Sequence, residues 1–135
     1  MQTFLPYSNF QESAQCLDYR RLGKQRVECK QILTALSNRA QGIKGGWTNH
    51  PAVKMWIGYE EALKYYANCM IQEWIKRGYN NSMPLYEYGE VSLPPFVGDS
   101  KFHDSHKSNL LRKDFEFYSK FGWDLPTNIP YLWPV

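Results

Sequence analysis

At 135 residues, with a hydrophobic set of 43% and charged residues at 21%, the chain predicts one globular domain spanning 1–135, and it excludes a disordered or fibrous protein. The formal net charge of +3 permits contact with a polyanion without requiring it, so the placement of the cations matters more than their sum. Three separated cysteines (Cys16, Cys29, Cys69) form no CxxC and leave one unpaired in any disulfide scheme, which predicts buried free thiols in a reducing compartment. No apolar run reaches the roughly 18 residues of a membrane span, and MQTFLPYSNF lacks the basic-then-apolar pattern of a secretory signal, so a cytoplasmic protein is expected.

In chain order, Ser8 followed three residues later by Gln11 fits a capping box and predicts a short helix over 9–16. Asp18 is expected to cap a second helix running to about 38, before the loop NRAQGIKGGWTNHP. Gly23 inside that helix costs roughly 1 kcal/mol relative to alanine, a hint that something approaches the backbone closely there. TNHPAVKMWIGYEEALKYYANCMIQEWIKRGYNN reads as one long helix, with Thr48 or Asn49 as cap, Pro51 in the first turn and Gly78 as left-handed terminator. Trp56, Tyr59, Leu63, Tyr66, Met70 and Trp74 make its apolar stripe. Residues 79–102, with Pro84, Pro94 and Pro95, predict an irregular connection. A last helix is expected over 104–120, closed by Gly122, and Pro126, Pro130 and Pro134 keep the aromatic tail irregular. No stretch reads as a strand. The expected architecture is all-α: three main helices, a proline-rich loop and an aromatic C-terminal tail.

The segment LDYRRLGKQRVECKQIL carries Arg20, Arg21, Lys24, Arg26 and Lys30 within eleven residues. Placed on a helix at about 100° per residue, Leu22, Cys29, Ile32, Leu33 and Leu36 form the apolar stripe. Asp18, Arg21, Gln25 and Glu28 lie on it or at its border, while Arg20, Lys24 and Arg26 point elsewhere. Two readings compete. In one, Asp18 is an N-cap, Arg21 and Glu28 form a structural ion pair, and the other cations are solvated. In the other, carboxylate, guanidinium and amide converge at the rim of the core to support proton transfer, and the outward cations hold phosphates. The run SHKSNLLRK adds His106, Lys107, Arg112 and Lys113 as further candidates for a nucleic-acid surface. His103 and His106 stand at HxxH spacing, but a metal site wants a third ligand, so neither metal nor cofactor is expected. His50, beside Pro51, is a capping residue or part of an anion site. The tail FGWDLPTNIPYLWP either wraps the core or offers Trp123, Tyr131 or Trp133 for stacking on bases.

These motifs carry a resemblance. DYRRLGKQR is similar to the catalytic helix of the endonuclease V-like pyrimidine-dimer DNA glycosylases, EWIKRGYN resembles the end of their central helix, and FHDSH leading into a last helix and an aromatic tail matches their layout. The closer likeness is to the bacterial and phage branch of that family, which shares MQTFLPY, LDxRRLGKQRVE, NHPAVxMW, EWxxRGY and HxSNLLRKD. The resemblance implies an all-α, monomeric, nucleoid-associated protein, bacterial or phage-encoded, acting without cofactor on double-stranded DNA with damaged bases. It further implies that the N-terminal amine, here that of Met1, attacks deoxyribose C1′, displaces the base and forms a Schiff base that permits AP lyase activity. An α-amino group, with an ordinary pKa near 8, suits imine chemistry better than a lysine near 10.4; Lys24 is the second candidate nucleophile. Aligned on Tyr19-Arg20, Arg21 stands where the family has its catalytic glutamate, so the carboxylate role passes to Asp18, Glu28 or Glu60. Arg20, Lys24, Gln25, Arg26, His50, His106, Lys107, Arg112, Lys113 and Trp133 are the residues expected on DNA. A glycosylase for another modified base, or a non-catalytic DNA-binding module on the same scaffold, is the alternative.

Overall fold

The computed structural model describes all 135 residues and is all-helical, as expected. Its helices are α1 (Phe10–Cys16), α2 (Tyr19–Ala40), α3 (Pro51–Lys54), α4 (Glu60–Lys76), α5 (Ser100–Lys113) and α6 (Phe115–Tyr118), followed by a 3-10 turn at Ser119–Phe121. None is long and apolar enough to cross a membrane.

The core forms where α2 packs against α4, with α1 laid across α4. Leu22, Cys29, Ile32 and Leu36 from α2 meet Leu63, Tyr66 and Met70 from α4, together with Trp56 and Phe102, all inaccessible or nearly so. The predicted stripes are therefore the buried ones; only Leu33, Tyr59 and Trp74 stay partly exposed. Gly23 is explained by packing: a β-carbon there would lie 2.9 Å from the Trp74 ring. That ring is held from other sides by Tyr79, stacked at 4.3 Å, and by the Arg26 guanidinium, 4.3 Å from its centroid.

Four boundaries differ from the expected ones. Asn9, not Ser8, caps α1, its side chain accepting from the Glu12 amide at 2.9 Å. The long central helix is broken between Lys54 and Glu60: Gly58 takes a left-handed φ of 84°, and the Glu60 side chain accepts from its amide at 3.2 Å. A helix cannot run through a left-handed residue, and this turn lets Trp56, just after α3, reach the core while α4 takes its own direction. His50 rather than Thr48 or Asn49 caps α3. The last helix is likewise divided at Asp114, whose extended φ and ψ of −152° and 76° end α5 and whose side chain starts α6 by accepting from the Phe117 amide.

The N-terminal segment has no regular structure, yet Thr3, Phe4 and Leu5 are fully or almost fully buried. Buried backbone must find partners, and here the partners are side chains from distant helices. Gln25 receives the Phe4 amide at 3.1 Å and donates to the Gln2 carbonyl at 2.9 Å. Tyr66 donates to the Phe4 carbonyl at 2.7 Å. His106 Nδ1 accepts from the Leu5 amide at 2.8 Å, and His103 Nδ1 pairs with the Leu5 carbonyl at 2.7 Å. Since His103 Nε2 accepts from the Gly98 amide, its proton resides on Nδ1 and is donated to Leu5.

Candidate active site

The segment so pinned ends at a cleft of about 940 Å³, where Met1 and Gln2 face the start of α2. Asp18, Arg20, Arg21, Lys24 and Glu28 line it from α2 and its cap, and Lys113, Asp114 and Phe117 line it from the break between α5 and α6. His50 and Trp133, their rings 5.7 Å apart, also line it. Trp133 is brought there because α5 clasps the tail: Ser108 Oγ donates to the Pro126 carbonyl and receives the Ile129 amide, Ser105 Oγ receives the Leu132 amide, and Arg112 donates to the Thr127 carbonyl at 2.6 Å.

Two carboxylates of the cleft have different surroundings. Asp18 is buried and caps α2, accepting from the Arg21 amide at 3.3 Å and pairing with the Arg21 guanidinium at 3.1 Å. Tyr118 completes its shell, donating to Oδ1 at 2.5 Å while accepting from the Asp18 amide at 3.0 Å. Burial on its own would raise the Asp18 pKa, but the Tyr118 hydroxyl and Arg21 outweigh it and hold the carboxyl below its ordinary value. Burial pushes Tyr118 strongly upward, so the phenol keeps its proton. Glu28 is only partly buried and lies beside the chain start: Oε2 accepts from Gln25 Nε2 at 2.8 Å and from the Gln2 amide at 3.4 Å. The Arg21–Glu28 ion pair of the bland reading does not form; Arg21 pairs with Asp18 instead.

Of the residues picked out in sequence, Met1, Asp18, Arg20, Arg21, Lys24, Gln25, Glu28, His50, Lys113 and Trp133 come together at this cleft. Gln25 is nearly inaccessible and its amide is occupied by Phe4, Gln2, Glu28 and Tyr66, so its contact is with the protein rather than with DNA. His106 is also misplaced by sequence reasoning: it is fully buried between Phe102 and Tyr131, with its pKa far below the ordinary value, burial being the main cause. The HxxH pair thus orients Leu5. No three His, Cys, Asp or Glu side chains cluster at metal-binding separation. Arg26 lies outside the cleft, over Trp74 and bonded to Asn81 at 2.6 Å. Lys107 sits over the Tyr7 and Trp123 rings, and Arg112 holds the tail; neither lines the cleft. Glu60 is engaged at the Gly58 turn and does not line it either. Gln2, Phe4, Tyr19, Asp114 and Phe117 were not anticipated. Asp114 had one available signal, a cap residue directly before FEFY.

The profile of a family described as pyrimidine dimer DNA glycosylase matches residues 1–87, well over half of the chain. The chain belongs to the pyrimidine dimer DNA glycosylase family. No curated protein and no solved structure matches it. The matched region holds the N-terminal segment, the start of α2 and His50. Membership implies a DNA substrate. Lys113, Asp114, Phe117 and Trp133, which also line the cleft, lie beyond the matched residues.

Proposed function

We propose that this protein excises pyrimidine dimers from duplex DNA with the Met1 amine as nucleophile, and that the resulting Schiff base permits cleavage at the abasic site. One observation carries the reading: a buried, side-chain-pinned segment delivers the chain start beside Glu28 in a cleft rimmed by Arg20, Lys24 and Lys113. Glu28, rather than Asp18, is the carboxylate that handles protons. Asp18 is tied to Tyr118 and Arg21, whereas Glu28 lines the cleft, has no protein partner on Oε1 and lies beside the chain start through the Gln2 amide. Arg20, Lys24 and Lys113 hold phosphates, Arg21 fixes Asp18 at the helix start, and Trp133 stacks on a base. The protein acts as one domain and as a monomer.

A duplex carrying one cis-syn thymine dimer, incubated with and without borohydride and resolved on denaturing gels, tests this. A borohydride-dependent covalent adduct is expected, and mass mapping places it on Met1 or on Lys24. The absence of both adduct and nicking, even after alkali, refutes the dimer assignment. The family match stops before the lining residues Lys113, Phe117 and Trp133, which favours, as the second reading, the same chemistry on another modified pyrimidine. A panel of duplexes with other base lesions distinguishes the two.

A further inference from the structure

His50 lines the cleft from the cap of α3. Its backbone is tied down: its amide donates to the Trp47 carbonyl at 3.0 Å, and its carbonyl receives the amides of Val53 and Lys54. Its ring nitrogen Nδ1 accepts from the Ala52 amide at 3.0 Å, capping α3. An accepting nitrogen carries no proton, so the proton of the neutral ring resides on Nε2. Nε2 has no partner within the protein and is not among the sealed polar atoms. The ring is also fixed in direction, edge-on between Trp47 (5.5 Å) and Trp133 (5.7 Å).

We propose that His50 serves as a neutral, tautomer-locked hydrogen-bond donor, through Nε2–H, to the pyrimidine being displaced. The proposal rests on the glycosylase reading above. A cationic phosphate contact, the other use of a histidine in a basic cleft, is disfavoured by geometry, because protonating Nδ1 would set its N–H against the Ala52 N–H. The charged groups facing the ring are the Met1 amine from the N-terminal segment and Glu28 from α2; Trp47 and Trp133, on the loop and the tail, are uncharged. Burial and then the amine lower the His50 pKa, with Glu28 opposing them.

The amine lone pair forms the N–C1′ bond, and the C1′–N1 bond breaks with its electron pair delocalising onto the pyrimidine O2. Nε2–H donates to that oxygen and keeps its proton, polarising rather than protonating the leaving ring. The attacking nitrogen sheds a proton to Glu28, which passes it to the departing base.

The test compares single-turnover reactions of the wild type, His50→Asn and His50→Ala on a dimer duplex and on the same duplex with an abasic site. Asparagine preserves the helix cap but does not present the ring donor, so His50→Asn guards against a folding defect. Because an abasic site has no base to displace, the loss in His50→Asn is expected to be confined to the dimer, at about 10²-fold. Equal loss on both substrates makes His50 a residue for DNA or amine positioning and overturns the proposal, as does the absence of loss on either. Nitrogen-15 NMR adds a readout apart from activity: Nε2–H with a bare Nδ1 at pH 7 is expected, and an Nδ1–H tautomer or an imidazolium overturns it. A wild type that is trapped at the abasic site yet inert toward the dimer sinks the dimer-glycosylase reading, and this proposal with it, an outcome distinct from a null effect of the substitution.

Discussion

Replacing Gln25 by leucine keeps side-chain volume but removes the amide that joins the N-terminal segment to α2. The Phe4 amide, buried and bonded at 3.1 Å to Gln25 Oε1, loses its acceptor, and the Gln2 carbonyl loses its donor at 2.9 Å. Tyr66 keeps the Phe4 carbonyl as partner, so its hydroxyl is not orphaned. Glu28 is partly exposed, and water replaces its lost bond. One buried unpaired donor at about 1–3 kcal/mol plus a part-buried acceptor gives a destabilisation of about 2–4 kcal/mol. For a chain of this length that corresponds to a fall in Tm of roughly 7–14 °C. Thermal melting followed by circular dichroism reads the loss, and borohydride trapping at an abasic site reads its consequence, since a released segment no longer holds Met1 beside Glu28. Trapping should drop more than DNA affinity does. A Tm within about 2 °C of the wild type, against the cost expected for a buried unpaired donor, would falsify the claim that this amide pins the chain start.

Gly23→Ala gains helix propensity of about 1 kcal/mol but drives a methyl into Trp74 at 2.9 Å, a ring already held by Arg26 and Tyr79. Overpacking costs about 1–3 kcal/mol, so urea titration should find a net loss near 1 kcal/mol, and a gain would contradict the packing account. In Tyr118→Phe the Asp18 carboxyl loses the bond that helps hold its pKa down. Asp18, with its folded pKa depressed, stabilises the fold above its unfolded value and loses that contribution as pH falls through the folded one. The stability gap between wild type and Tyr118→Phe should therefore be full near neutrality and narrow below about pH 4 to the part due to the Asp18 amide, which loses its acceptor at every pH; a gap that widens in acid rules this out. Lys24→Ala and Lys113→Ala should each weaken DNA binding across sequences and lower the salt dependence of log K by about one unit, whereas an unchanged slope removes that lysine from the phosphate contact. Burial raises the thiol pKa of Cys16 to about 12 and of Cys69 to about 11, and that of Cys29 well above its ordinary value. Iodoacetamide at pH 8 should label them only after unfolding, and rapid labelling of the native protein contradicts their burial.

Much of the molecule was legible before folding. Leu22, Cys29, Ile32 and Leu36 on α2, and Leu63, Tyr66 and Met70 on α4, repeat at helical spacing because each helix must bury one face. The same spacing placed Asp18, Arg21, Gln25 and Glu28 at one end of that face, next to the core rim where a cleft forms. Gly23 signalled a close approach without naming Trp74, fifty-one positions away in sequence and visible only once α2 and α4 pack. Helix breaks at Gly58 and Asp114 were hidden for a different reason: apolar periodicity continues across both, and only the local backbone geometry ends the helix.

What the sequence alone determined is the all-helical class, the two main buried stripes and a family whose profile covers residues 1–87, because periodicity and motif are properties of residues near one another along the chain. The tertiary structure decided which polar groups are free. Gln25, Arg26, His50 and His106 all read as candidate DNA contacts in sequence, yet folding sets Gln25 and His106 on the backbone of residues 2–5, stacks Arg26 on Trp74, and leaves His50 at the cleft with Nε2 unpartnered. A buried polar atom is committed to whichever partner the fold brings within hydrogen-bonding distance, and those partners lie about 20 to 100 residues away.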